Sequence, residues 1–150
     1  MIKITLTFFC LLINSVYNEN QHLKVDRYTP DRDSIPGILT GNFIDDYGIR
    51  YKISRTKWIQ YPNTTYHIIR CNKKDQFLVA KNDAGNAAGP GLYTKIHYTT
   101  NEMQHPYVWG FCLSVYDAKS DSLAEVGYSA DIQNPRKGCN SFPFSRMKKN

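Results

Sequence analysis

The side chains best suited to redox chemistry, metal binding or nucleophilic attack are Cys10, Cys71, Cys112 and Cys139, with the histidines His22, His67, His97 and His105. Cys112 lies in "PYVWGFCLSVYDA" (Pro106 to Ala118), among aromatic residues, and three chemistries compete for it: reactive thiol, metal ligand, or half of a disulfide. Metal binding has little to work with, because no C-x-x-C or H-x₃-H spacing occurs anywhere in the chain. His67 and His97 sit on separate strand-like runs and meet only if those strands pair in register. No G-x-S-x-G elbow, H-E-x-x-H motif or Walker lysine is present. "GNAAGPG" (Gly85 to Gly91) is glycine-rich but leads into a strand-like run, so it lacks the helix that cradles a phosphate and reads as part of a long flexible hairpin loop.

Carboxylates are the remaining catalytic candidates. Asp45, Asp46, Asp83, Asp117 and Asp131 all fall at strand ends or in loops. A glycosidase needs two carboxyl groups about 5–9 Å apart, whereas aspartates at such positions commonly serve as turn residues. Asp83 in "KND" and Asp117 in "YDA" are the first to examine, since each ends an apolar strand. No catalytic residue, metal site or cofactor is assigned, and the chain does not read as an enzyme.

The compartment helps decide the thiol question. "MIK" supplies a basic start and Ile4 to Ile13 an apolar run of ten residues, followed by small and polar residues. This is the pattern of a secretory signal peptide over residues 1–17. Ten residues are too few to span roughly 30 Å of hydrocarbon. No later stretch is apolar enough to cross a bilayer, so a secreted, extracellular protein is expected. A sequon, "NTT" at Asn63, stands between two strand-like runs where a glycan would be exposed. Without Lys3 the chain keeps 18 basic residues against 13 acidic ones, about +5. The basic residues are spread rather than striped with aromatics, which argues against nucleic acid and leaves a solvated face or weak attraction to acidic polysaccharide or anionic membrane.

The elements that must position these residues follow from alternation. Residues 18–36 are polar, carry Pro30 and Pro36, and read as an extended arm. Residues 37–150 read as one domain. "ILTGNFID", "YGIRYKIS", "KWIQY", "TYHIIRC", "FLVAKN", "LYTKIHYT" and "YVWGFCLSVY" are seven strand-like runs. "SDSLAEVG" is the one helix signal, with Ser122 three residues before Glu125 in capping-box spacing and Gly127 as C-cap. "SFPFSRM" reads as a last edge segment, since Pro143 bars a central strand. The fold class is all-β: an antiparallel up-and-down barrel or sandwich of about seven or eight strands with one short late helix.

Alternation also places Cys112. Tyr107, Trp109, Phe111, Leu113 and Val115 share one face, suited to a core or lumen. Val108, Gly110, Cys112, Ser114 and Tyr116 share the other, smaller face. After loss of Cys10, three pairings of the remaining cysteines are possible. Cys112 with Cys139 is favoured, because "RKGC" lets the chain double back and the bond would strap helix and tail onto the outer face. Cys71 shares an alternation face with His67 and Ile69 and reads as a buried thiol, with an intermolecular disulfide as the alternative.

Gly41-Asn42-Phe43, six further strand-like runs, a late helix and a cysteine-tethered tail resemble the lipocalin-like secreted barrels over residues 38–146. Gly41-Asn42-Phe43 is similar to the opening G-x-W motif, with Phe43 where tryptophan is usual; no T-D-Y-type second motif is present. The resemblance implies a lumen holding a small apolar or amphipathic ligand. Ile49, Tyr51, Ile53, Ile96, Trp109, Phe111 and Leu113 would line it, or would simply fill it, as in many small barrels. The alternative function is an interaction module that binds a protein or glycan through the loops Asp83–Gly91 and Thr99–His105.

Overall fold

The computed structural model describes residues 34–150; the leader and nearly all of the arm lie outside the described residues. Eight antiparallel strands close into an up-and-down barrel. They are β1 (Gly41–Asp45), β2 (Arg50–Ile53), β3 (Lys57–Gln60), β4 (Thr64–Asn72), β5 (Phe77–Asn82), β6 (Tyr93–Thr99), β7 (Trp109–Ala118) and β8 (Ser145–Lys149). Between β7 and β8 comes one helix, α1 (Asp121–Val126). Closure, not a sandwich, disposes of the edges an open meander would leave unpaired.

The final segment is therefore no edge. β8 pairs with β7 through Trp109↔Met147 and with β1 through Asp45↔Met147. Pro143 lies two residues before β8, outside the ladder it would have interrupted.

Because the strands alternate in direction, the barrel has two distinct ends. One, the floor, is sealed by a 3-10 turn at Gly37–Leu39 whose Leu39 is fully buried, and Ile35 joins the same core. The other, the mouth, carries the β1–β2 hairpin, the β3–β4 turn, the loop from 83 to 92 and the long return from 119 to 144. The lumen is packed with aromatic rings. Trp58 and Trp109 are both fully buried and meet edge to face, centroids 5.7 Å apart. Phe43 packs on Trp109 at 5.2 Å, and Tyr51 and Phe111 pack on Trp58 at 6.1 and 5.1 Å. Each such pair adds about 0.5–1.5 kcal/mol beyond burial of area. The Nε1 atoms of both tryptophans are buried without a hydrogen-bond partner among the described residues, so ring packing must outweigh a lost hydrogen bond at each.

Three register shifts, one in β4 and two beside Lys95, break the alternation on which the face assignments rest. In β4 the register shifts between Ile68 and Arg70, which turns Cys71 into the main core and leaves Ile69 exposed. Cys71 is buried and not disulfide-bonded, but it does not share a face with His67 and Ile69. In β7 the ladder shifts beside Lys95, and Val115 leaves the inner face to pack against Gly127. A β-carbon on Gly127 would come within 2.7 Å of Val115 Cγ2, so glycine is what lets the end of α1 lie this close to the barrel.

The helix starts two residues earlier than its capping-box spacing suggests. Ser120, not Ser122, is the N-cap, and its hydroxyl accepts from the Leu123 amide. Glu125 instead pairs with Arg70 of β4, whose guanidinium also reaches Asp121 at 3.2 Å. Beyond α1 the chain forms a strap pinned to β7 by the disulfide Cys112–Cys139. Cys112, Ala130 and Phe144 pack together beneath it on the outer wall.

Candidate functional site

The mouth is the candidate site. It is a hollow of about 310 Å³ lined by Asp45, Ile49, Tyr51, Gln60, Phe111 and Leu113, with Tyr47, Cys139, Pro143 and Ser145 around its rim. Of the seven residues named from sequence, Ile49, Tyr51, Phe111 and Leu113 line this hollow. Ile53, Ile96 and Trp109 are packed in the core and do not line it.

The β1–β2 hairpin shapes the polar side of the mouth. Asp45 is buried, and its Oδ1 accepts from the Tyr47 and Ile49 amides at 3.0 and 2.8 Å, folding the turn around the carboxylate. Gly48 supplies the positive φ of 85° that the turn needs. The Tyr51 hydroxyl donates to Asp45 Oδ2 at 2.9 Å. Burial first, and the Asp45 carboxylate second, hold the Tyr51 phenol far above its ordinary range, so it stays a neutral donor. Asp45 is thus a structural carboxylate, satisfied from three sides. In contrast, the Gln60 amide and the Ser145 hydroxyl are half-buried at the hollow and make no side-chain hydrogen bond with a described residue. They are polar groups with free valence beside an apolar base.

Among the described residues Asp83 is bonded to no second carboxylate; its Oδ2 lies 2.7 Å from His67 Nε2. The His67 hydrogen bond, then the Gly85 amide, hold Asp83 below the usual carboxylate range. The pair is half-exposed, with Lys57 and Lys81 opposite His67 on the flanking strands. Among the described residues no serine or threonine hydroxyl and no cysteine thiol is bonded to His67. Asp117 is exposed near the end of β7. His67 and His97 are kept apart by β5. Among the described residues no group of three His, Cys, Asp or Glu is placed to hold a metal ion. The loop after β5 is anchored, not floppy: Asn86 is buried and exchanges two 2.8 Å hydrogen bonds with the Thr65 backbone, while Asn82 Nδ2 donates to Gly89 O at 2.9 Å.

Sequence reasoning missed the polar cluster between the barrel wall and α1. Lys95 is buried, and its ammonium donates to the carbonyls of Glu125 and Gly127 at 2.8 and 3.2 Å and to Ser129 Oγ at 3.0 Å. It caps the C-terminal end of α1, where a cation is favoured. Next to it, Ser114 Oγ donates to Lys95 O and lies 2.8 Å from His97 Nδ1. A hydroxyl has one proton, so Nδ1–H must be the donor to Ser114. Burial, and then the Lys95 charge, lower His97 from its ordinary 6.5 to about 4. No motif announces this cluster; only the burial of an outward strand position reveals it.

A second, larger hollow of about 570 Å³ lies outside the barrel between the β6–β7 loop and the strap, lined in part by Tyr47, Met103, Arg136, Phe144 and Arg146. Its two arginines are already paired, Arg136 with Glu102 at 3.4 Å and Arg146 with Asp46 at 3.0 Å. Among the described residues no helix is long and apolar enough to cross a membrane. The closed eight-strand barrel is compatible with a lipocalin-like fold, and comparisons with models of known families, with curated proteins and with solved structures find no match.

Proposed function

We propose that this protein is a secreted, lipocalin-like barrel that holds one small amphipathic molecule at its mouth. The observation that carries the reading is the pairing of an apolar base with polar groups that no described side chain engages. Ile49, Phe111 and Leu113 offer the apolar surface, and Gln60 and Ser145 offer a donor and an acceptor at its edge. At about 310 Å³ the hollow suits a ligand of few heavy atoms, and the ring-filled lumen below limits how deep it goes. Asn63 stands exposed on the β3–β4 turn at this same end, so a glycan there would project beside the mouth without blocking its base.

Loop binding to a protein or glycan is favoured by one observation only, the exposure of Tyr47 (73%) and Phe142 (70%) at the mouth end. A partner that closes over the mouth would use both features at once.

Native mass spectrometry of the protein purified from its own host tests the main reading. A mature chain lacking the leader, carrying a glycan at Asn63 and releasing one small molecule on denaturation is the expected result. A ligand-free barrel that also leaves Trp58 fluorescence unchanged on titration with small amphipathic probes would overturn it, since Tyr51 and Phe111 join the hollow directly to Trp58.

A further inference from the structure

Among the described residues, the outer wall of the barrel is covered on one side only. α1 lies against β5, β6 and β7, and the strap packs on Cys112 of β7. No described element crosses β8, β1, β2 and β3, and register sets basic side chains in rows there. Lys148 stands opposite Ile44, which stands opposite Arg50. Lys52 is the next outward residue on β2, flanked by Asn42 and Ile59. Strand spacings of about 4.8 Å and residue pairs of about 6.6 Å put the three cationic positions within roughly 12 Å of one another. None of the three makes an ion pair with a described residue, in contrast to Arg136 and Arg146. Tyrosine rings steady two of them: Arg50 lies 5.8 Å from the Tyr61 ring, and Lys148 lies 6.0 Å from the Tyr107 ring.

We propose that this bare wall binds a sulfated polysaccharide. Unpaired like charges held this close repel one another, and an anion laid across them relieves that repulsion. The cations spread over two rows on an open face rather than converging in a pocket, which fits an extended polymer with repeating anionic groups better than a single small anion. A lipid surface fits poorly: Ile44, between Lys148 and Arg50, and Ile59, beside Lys52, are both half-buried and offer little apolar surface to insert. Nucleic acid fits poorly as well, since the two tyrosine rings are occupied by cations and offer no free platform for a base.

The test is calorimetric titration with a defined heparin oligosaccharide. It compares the unaltered protein with a wall variant (Arg50→Gln, Lys52→Gln, Lys148→Gln) and an off-wall variant of equal charge loss (Lys74→Gln, Lys119→Gln, Lys137→Gln). The wall variant should bind about tenfold more weakly and the off-wall variant within about twofold of the unaltered protein. Unaltered binding should weaken as salt rises. Arg50 and Lys52 are exposed and Lys148 is half-exposed, so melting temperature should not change, which separates lost binding from lost fold. Absence of heparin binding at low salt, equal weakening in both variants, or binding to anionic vesicles with heparin refused would each overturn the proposal. Ligand binding at the mouth is read separately by Trp58 fluorescence and is indifferent to the outcome.

Discussion

At the floor of the barrel, Leu39, Trp58, Trp109 and Met147 are fully buried and leave no space. At the mouth, Tyr51 and Phe111 are nearly as buried, yet their rings form the base of a hollow. Both ends use large apolar and aromatic side chains on inward strand positions. The floor is closed by the chain itself, through the turn at Gly37–Leu39, whereas the hairpin and strap at the mouth bend around a carboxylate and a disulfide and stop short of covering it. The difference teaches that an inward aromatic face specifies a packed lumen, and that the loops at its end decide whether any of it meets a ligand.

The largest effect should come from opening the floor. Trp58→Ala should cost about 3–5 kcal/mol in urea unfolding, and its cavity should make the floor, too, able to take up a small apolar molecule. That would erase the contrast between the two ends. Removing the strap bond with Cys112→Ser and Cys139→Ser should cost about 3.5 kcal/mol, in a chain-entropy reading of the 27-residue separation. Near-UV circular dichroism of the tryptophans should survive under native conditions, while ligand binding at the rim weakens.

Acid should loosen the wall between the two ends. His97 is held neutral, lowered from 6.5 to about 4. Above 6.5 neither folded nor unfolded protein binds this proton. Between 6.5 and 4 only the unfolded chain does, so stability falls as pH drops through that window, by up to about 3 kcal/mol. The difference between the unaltered protein and His97→Gln, measured from pH 8 to pH 4, isolates this share from that of the carboxylates.

Smaller effects belong to the mouth. Tyr51→Phe strips Asp45 Oδ2 of its donor inside a buried site and should cost about 1–3 kcal/mol. Gln60→Ala should change stability by less than about 0.5 kcal/mol while weakening ligand binding about fivefold. A reversal of that last pair, with stability lost and binding kept, would make Gln60 a packing residue and the mouth no different from the floor.

Most of the architecture was legible in period-two alternation. Seven of the strands, the late helix and the Cys112–Cys139 strap follow from runs such as "LYTKIHYT" and from Cys112 pointing away from Trp109 and Phe111. What escaped was set by single-residue insertions and by tertiary cover. A register shift in β4 and two beside Lys95 change the faces of Cys71 and Val115, and a bulge leaves no mark in hydrophobic pattern. Nothing in the local sequence marks Lys95 as buried, because the chain that covers it arrives some thirty residues later. The site was legible only as a pool of inward residues; which of them border open space depends on where Asp45 folds the hairpin and where Pro143 leaves the rim.

The most direct measurement is methyl NMR of the isoleucine- and leucine-labelled protein during titration with the small molecule released from it, or with a small amphipathic probe if none is released. Binding at the mouth predicts saturable shifts of Ile49 and Leu113, with Leu39 and Leu78 at the floor and core unmoved. Equal shifts at all four, or shifts confined to Leu39 and Leu78, would contradict it.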